Sequence, residues 1–549
     1  MDQSLLFLIN LHLLKRRMKS ALVVDHIVPR RPFRHLKRQL PVFFNKIALV
    51  SERFLACTSR ALKMFFETNT FPIVSEDLQQ LFLISALFDA DIQYVFLHVD
   101  TPFRTGSFHK YSHVITGLFT TLDCRTDLDF FSDRSSETFF PRLRCIDVRV
   151  ESSVFFKLSK MLRVNYTISR LHLGTNFLGP KGIVELSETF RLNSSITVID
   201  VRSTSCRAEG AVTLAAALKR NTSVTEINLG HNSIGDEGAR AFGEALKWNT
   251  SISVINLRYN SIGPQGAISL FEALKLNSTV IKIDLGTNSI GVEGTAALAD
   301  ALKSSSKVEV INLENNALCG ECAMLLAESL KINVSVTDIN LRGNSIRVEG
   351  AIALAGALKL NSRVARIDLE NNTIGVEGAT AFAEALKVNS TVTEINFKSN
   401  SIGVEGAVAI AETLKINSTV TRLDLDYNNI GVEGAVAMFE ALKVNNSVTE
   451  INLRSNSVGT EGAIALAEAL KVNQSVTKLP LWGNSVDTEG AVALAEALKT
   501  NSTLTVINLG FNSIGAEGAI ALAKILVENS SIVEVHLGLN SIGVKVPEH

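Results

Sequence analysis

The stretch Val448-Thr-Glu-Ile-Asn-Leu-Arg-Ser-Asn456 puts Val448, Ile451 and Leu453 on one side and Glu450, Asn452 and Arg454 on the other, the signature of a strand with one buried face. Just before it, Gly434-Ala-Val-Ala-Met-Phe-Glu-Ala-Leu-Lys443 is apolar at 435, 438, 439 and 442, the stripe of a helix with one buried side. Working outward, Leu-x-Leu-x-x-Asn-x-Ile-Gly recurs fourteen times between Leu171 and Asn540, in a 28-residue frame without an inserted or deleted residue. The asparagine marks the frame at Asn176, Asn232, Asn260, Asn288, Asn316, Asn344, Asn372, Asn400, Asn428, Asn456, Asn484, Asn512 and Asn540, and only Thr204 breaks the column. A strand and helix repeated at fixed period cannot bury their apolar faces alone, so the units stack into a solenoid. Parallel strands sit about 4.8 Å apart whereas packed helices need roughly 8–10 Å, which bends the stack into a horseshoe with a concave sheet and convex helices. The many helix alanines relax that curvature.

With 549 residues, 46% of them hydrophobic, and a net charge of -1, the chain has ample apolar material for one continuous core, and its charge identifies no partner. Basic character is local: residues 1–46 carry ten Lys or Arg against Asp2 and Asp25. Six cysteines (Cys57, Cys124, Cys145, Cys206, Cys319, Cys322) are scattered without a disulfide framework, so a reducing compartment and a cytoplasmic location are expected. The apolar run Leu5–Leu14 is followed rather than preceded by positive charge and is too short to span a bilayer. It reads as an amphipathic helix, with membrane-surface contact or organelle targeting as the alternative.

Twenty of the 28 phenylalanines precede residue 160, whereas Gly, Ala and Asn dominate afterwards. Three regions are therefore expected: a Phe-rich, mostly helical region at 1–90, a degenerate repeat or N-terminal cap at 91–170, and the array at 171–549. Within the cap, the clusters Tyr94–Val99, Val114–Leu122 and Leu143–Val148 look strand-like, and Cys145-Ile-Asp-Val148 resembles Ile199-Asp-Val201 of the array.

The recurrent asparagine is expected to satisfy backbone groups of a buried turn, because its amide both donates and accepts. A second column, including Asn445, Asn473 and Asn501, follows each helix as Asn-x-Ser/Thr and makes twelve in-phase glycosylation sequons. Fixed spacing favours a left-handed asparagine ending each helix over a glycan on nearly every unit.

The unit Leu-x-Leu-x-x-Asn-x-Ile-Gly followed by Glu-Gly-Ala-x-Ala-Leu-Ala-Glu-Ala-Leu-Lys resembles the ribonuclease-inhibitor type of leucine-rich repeat, shared by ribonuclease inhibitors, the C-terminal arrays of NOD-like receptors and the GTPase-activating protein of Ran. The resemblance covers about two-thirds of the chain and implies an α/β leucine-rich-repeat solenoid that binds proteins. It carries over neither a nucleotide-binding module, since Gly-x-x-x-x-Gly-Lys-Ser/Thr is missing, nor a catalytic arginine, since none aligns to one position.

Down the outward face, one column reads Glu314, Arg342, Glu370, Lys398, Asp426, Arg454 and another Asp338, Arg366, Glu394, Arg422, Glu450, Lys478. Signs alternate along both, and each unit opposes its own pair, as in Asp338 with Arg342 and Arg422 with Asp426. This is either a self-neutralising surface inherited from duplication of a 56-residue block or a charge-coded docking strip; exposed pairs of this kind contribute only about 0–1 kcal/mol each. Phosphate binding wants one sign of charge, so the checkerboard argues against nucleic acid. The Asp column (Asp200, Asp284, Asp368, Asp424) is interleaved with neutral Asn and supports no Mg or Ca site. Near the C-terminus Trp482 replaces the charge, Phe511 and Leu539 occupy the adjacent outward column, and Pro480 interrupts the Asn/Asp column. These three apolar groups are expected to form one exposed patch of the kind that marks binding surfaces. Tyr259 and Tyr427 share the Phe511 column at isolated positions.

No cofactor is implied, and His172, His231 and His536 stand in different units without a triad. Cys319-Gly-Glu-Cys322 has redox spacing at a helix start, yet both cysteines stand where other units carry glycine, and two thiols do not make a zinc site. The expected function is a non-enzymatic protein-interaction scaffold or adaptor in an immune-type sensing or regulatory pathway. The alternatives are a GTPase regulator acting on a small GTPase through Arg258 or Arg342, and an array that only displays the N-terminal region.

Overall fold

The structure, a computed structural model, describes residues 71–74, 95–98, 117–122, 144–150, 152–304 and 307–543. The apolar run Leu5–Leu14, the basic stretch after it and all of region 1–90 except Phe71–Val74 lie outside the described residues. Phe71–Val74 is a strand within a region expected to be mostly helical.

Eighteen described strands form one parallel sheet in chain order. Phe71–Val74, Val95–His98, Gly117–Leu122 and Cys145–Val150 come first, and Arg170–His172 opens the regular series. From there each three-residue strand pairs with the one 28 residues on, Asp338 facing Arg366 and Ile339 facing Ile367. The strands are short because a side chain ends them. In the Asn/Asp column Oδ1 accepts the amide two residues later, as Asp368 does from Glu370 (2.9 Å) and Asn396 from Lys398 (2.9 Å), which turns the chain away from the ladder. That turn, rather than metal binding, is the work of the aspartates in this column. At Pro480 the pairing with the preceding strand shrinks to Glu450 facing Lys478, since proline has no amide to give.

Each strand leads into a helix such as Gly431–Leu442, which buries Ala435, Met438, Phe439 and Leu442 against Ile451 and Leu453 of the core. Helices stack closely because their first turn carries glycine: a Cβ on Gly406 would lie 2.5 Å from Ile402 Cγ2 and 3.0 Å from Ala379 Cβ. Among the described residues no helix is long and apolar enough to cross a membrane.

Two buried asparagine ladders replace the hydrogen bonds that turns cannot make for themselves. Asn400 Nδ2 donates to the carbonyls of Leu369 (2.8 Å) in the preceding unit and of Phe397 (2.9 Å) in its own, while its Oδ1 accepts the amide of Asn372 (3.0 Å). Thr204 preserves part of this scheme: its hydroxyl donates to Val201 O at 2.8 Å. In the second column Asn501 Nδ2 donates to Leu470 O (3.0 Å) and Asn473 O (2.9 Å), and Oδ1 accepts from Thr503 (3.1 Å) and Leu504 (2.9 Å). These asparagines are not left-handed, as the spacing had led us to expect. Asn193, Asn473 and Asn529 are extended, with φ of -84°, -75° and -84°, because extended backbone lets the side chain reach back one unit. Since Asn445, Asn473 and Asn501 are buried with both amide protons used, a glycan on the folded array would break the ladder, and the sequons are structural.

Candidate functional site

The outward face is built from the strand residues and the turn that follows, where the backbone enters the left-handed region. Tyr259 (φ 56°), Tyr427 (φ 56°), Phe511 (φ 51°) and Leu539 (φ 61°) all sit there, in a column that the other units fill with Ser, Thr, Asn or Gly and, in one, His231 (φ 58°). A bulky L-residue in this region costs about 1–2 kcal/mol, so the four large side chains are held on the surface against local preference.

The charged columns pair along the stack and not within units. Arg342 meets Glu370 at 3.2 Å, Lys398 lies between Glu370 (3.5 Å) and Asp426 (3.4 Å), and Arg422 lies between Glu394 (3.7 Å) and Glu450 (3.3 Å), with Lys478 also on Glu450 at 3.7 Å. Arg366 pairs with Asp338. The expected partners Asp338/Arg342 and Arg422/Asp426 form no ion pair, because four residues along a strand span roughly 13 Å whereas the neighbouring strand is about 4.8 Å away. Nor is the checkerboard uniformly exposed: Glu370 is 8% and Asp426 2% exposed. Burial pushes the Asp426, Asp424 and Asp368 carboxyls up, against the pull of Lys398 on Asp426 and of backbone amides on Asp424 and Asp368.

At the end of this column the alternation stops and the stacking changes character. Asp426 precedes Arg454, and where the next carboxylate would fall stands Trp482. The Arg454 guanidinium lies 4.2 Å from the Trp482 ring centroid, and Trp482 stacks on Phe511 at 4.7 Å with 14° between planes. The structure thus joins Arg454, placed in the charge column by sequence, to Trp482 and Phe511 in one pile. Phe511 is 55% exposed, and Leu539, one unit on, 74%. Tyr427 is exposed and stands apart. Tyr259 stacks instead on His231 at 4.1 Å, and Arg258 lies 5.3 Å from the Tyr259 ring. Because Gly286 carries no side chain, Arg258 reaches past it to Glu314 at 2.7 Å.

Sequence reasoning passed over one further contact. His172 Nδ1 lies 3.9 Å from Asp200 Oδ2, an ion-pair separation, and the pull of Asp200 and then of Cys145 outweighs burial and pushes the imidazole up to about 9. Burial alone would raise Asp200; the His172 and Arg202 contacts hold its carboxyl below the usual range. The signal was present, since His172 and Asp200 occupy the same column one unit apart. A raised histidine pKa contributes stability fully below the unfolded value of 6.5 and loses it as pH rises to about 9. Ring-proton NMR should place the His172 midpoint near 9, and Asp200→Asn should bring it down toward 6.5; a native midpoint of 6.5 would contradict the contact. Among the described residues no group of three or more His, Cys, Asp or Glu is placed to hold a metal ion.

A one-strand, one-helix unit repeated on a 28-residue frame, with asparagine ladders and a side-chain-decorated parallel sheet face, defines a leucine-rich-repeat protein. Within that class the chain belongs to the family described as the NLRC3 LRR domain, whose model matches residues 141–546. Leucine-rich-repeat arrays generally bind proteins, generally without enzymatic activity of their own, and this one fits a protein-interaction scaffold. No curated protein matches the chain. Similar solved structures include Leiomodin-1 Actin-Binding Site 2, 28% identical over 23% of this chain and 75% of that one with a TM-score of 0.22. The crystal structure of the Rad7 and Elc1 complex in yeast is 15% identical over 66% of this chain and 84% of that one with a TM-score of 0.40.

Proposed function

We propose that this array is a cytoplasmic scaffold or adaptor in an immune-type sensing or regulatory pathway, and that a protein partner docks on Arg454, Trp482 and Phe511, with Leu539 at the margin. The observation that carries the reading is the Arg454–Trp482–Phe511 pile, a cation–π and aromatic stack in which Arg454 and Trp482 are half-buried and Phe511 is exposed, placed where the self-neutralising ion-pair column ends. Trp and Arg are enriched among residues that dominate binding energy, and a stack already formed loses little entropy on docking. The ion-paired strip from Arg342 to Asp426 supplies register, since each of its charges already has a partner. GTPase regulation is less supported: the Arg258 and Arg342 guanidiniums are held by Glu314 and Glu370 and would have to be released before reaching a nucleotide. The test is a quantitative lysate capture comparing the intact chain with Trp482→Ala/Phe511→Ala, the variant first shown to be folded by circular dichroism. Partners lost only from the variant are expected, at tenfold or more (about 1.4 kcal/mol or greater). An unchanged partner set would remove this patch from the function.

A further inference from the structure

The pair Cys319 and Cys322 departs twice from the repeat within one turn. The column through Cys322 is glycine in twelve other units, from Gly182 to Gly518. The column through Cys319 is left-handed in most units, as at Gly291 (φ 66°) and Gly375 (φ 66°), whereas Cys319 is extended (φ -95°, ψ -178°) and caps the helix Gly320–Leu330. That change of backbone lets position 319 carry a side chain without strain and brings the two sulfurs to 3.5 Å, both as free thiols. The two sit in different surroundings: Cys319 is half-buried and Cys322 wholly buried. The Cys322 and Glu321 amides at the helix start hydrogen-bond the Cys319 sulfur and, against burial, hold its thiol below the ordinary range, while burial pushes Cys322 up. Cys206, which shares neither a thiol neighbour nor this exposure, is pushed by burial to about 12 and is the inert comparison within the same array.

We propose that Cys319 and Cys322 form a reversible thiol–disulfide site that takes small-molecule disulfides of the glutathione type, with Cys319 as the attacking sulfur and Cys322 as the resolving one. The Cys319 thiolate attacks one sulfur of the external disulfide, forming a mixed disulfide and releasing one thiolate. Cys322 then gives up its proton, attacks the Cys319 sulfur and releases the second thiolate. Both protein sulfurs are oxidised, the external disulfide is reduced to two thiols, and the two protons lost by the cysteines are taken up by the leaving groups. Attack in this order follows from exposure, because only Cys319 is reachable from outside, and completion follows from proximity, because Cys322 already touches it.

The test equilibrates the full-length protein in buffers of defined reduced-to-oxidised glutathione ratio, quenches with acid, alkylates and maps peptides by mass spectrometry. In the intact chain the peptide holding both cysteines should lose two hydrogens and resist alkylation until dithiothreitol is added. Cys322→Gly, which restores the residue other units carry, should instead accumulate one glutathione on Cys319, and Cys319→Gly should leave Cys322 unmodified. In reduced protein Cys319 should alkylate at least about tenfold faster than Cys322. Two free thiols in oxidised glutathione, or glutathione found on Cys322, would overturn the proposal; the first of these is read on the unsubstituted chain and so does not depend on either variant folding.

Discussion

Asn400→Ala is expected to destabilise its part of the array by about 3 kcal/mol or more, since each buried polar group left without a partner costs about 1–3 kcal/mol. The wild-type side chain is wholly buried; it supplies Leu369 O, Phe397 O and Lys398 O with a donor and the Asn372 amide with an acceptor. Alanine silences all of these at once, at a position that is wholly buried. Because each unit touches only its neighbours, the loss should appear as a local opening and not as one global transition. Hydrogen exchange is therefore the suitable measurement: the amides of Asn372 and its neighbours should exchange about a hundredfold faster, tenfold per 1.4 kcal/mol, with units far along the chain unchanged. Asn400→Thr should lose less, as Thr204 keeps one of these bonds in its own unit. Wild-type exchange in Asn400→Ala would mean that the ladder is decorative.

Lys398→Ala should cost about 1–3 kcal/mol at neutral pH, between the values for exposed and buried ion pairs, because the lysine is one-third exposed while its two carboxylate partners are buried. Lys398 stands between Glu370 and Asp426, and the Asp426 side chain is 3% exposed with Oδ1 buried and unpartnered. Without the ammonium two carboxylates are left facing each other across an empty position. The pH dependence fixes the cause. Burial already raises the Asp426 carboxyl above its ordinary value; a group whose folded pKa is raised costs stability above that pKa and stops costing it once protonated. Removing Lys398 raises it further, so the deficit against wild type should shrink as pH falls from 7 toward 4. Asp426→Asn in the same background should shrink it at pH 7. A deficit independent of pH would assign the loss to the lysine's aliphatic stem instead of its charge.

The period made the fold legible. An undeviating 28-residue frame states which side chains are neighbours, and the buried Ile451, Leu453, Met438 and Phe439 occupy the positions that strand and helix periodicity assign to them. The same frame placed Trp482 and Phe511 on the outward face. It left out what depends on distance across the stack. The alternating columns already set Arg342 beside Glu370 and Arg366 beside Asp338, as the structure pairs them, but the within-unit opposition of Asp338 and Arg342 counted closeness in sequence where the parallel strand alongside is nearer in space. The same offset of 28, carried to the remaining columns, holds His172–Asp200 and Arg454 over Trp482. Backbone conformation was the other blind spot: an asparagine after a helix suggests a left-handed cap, but the second ladder needs an extended one to reach the preceding unit. Cys145 lies 27 residues before His172, outside the 28-residue frame, and the likeness of Cys145-Ile-Asp-Val148 to Ile199-Asp-Val201 sets it in the column of Arg170 and not in that of His172.

Docking of a protein on the Arg454–Trp482–Phe511 end of the sheet face is open to site-specific photo-crosslinking in lysate. A photoreactive aromatic residue takes the place of Trp482 in one preparation and of Ile520, exposed on the last helix, in another. A discrete crosslinked partner is expected from position 482 and none from 520; the same partner captured only from 520 would rule out docking on the sheet face and move the interface to the helices.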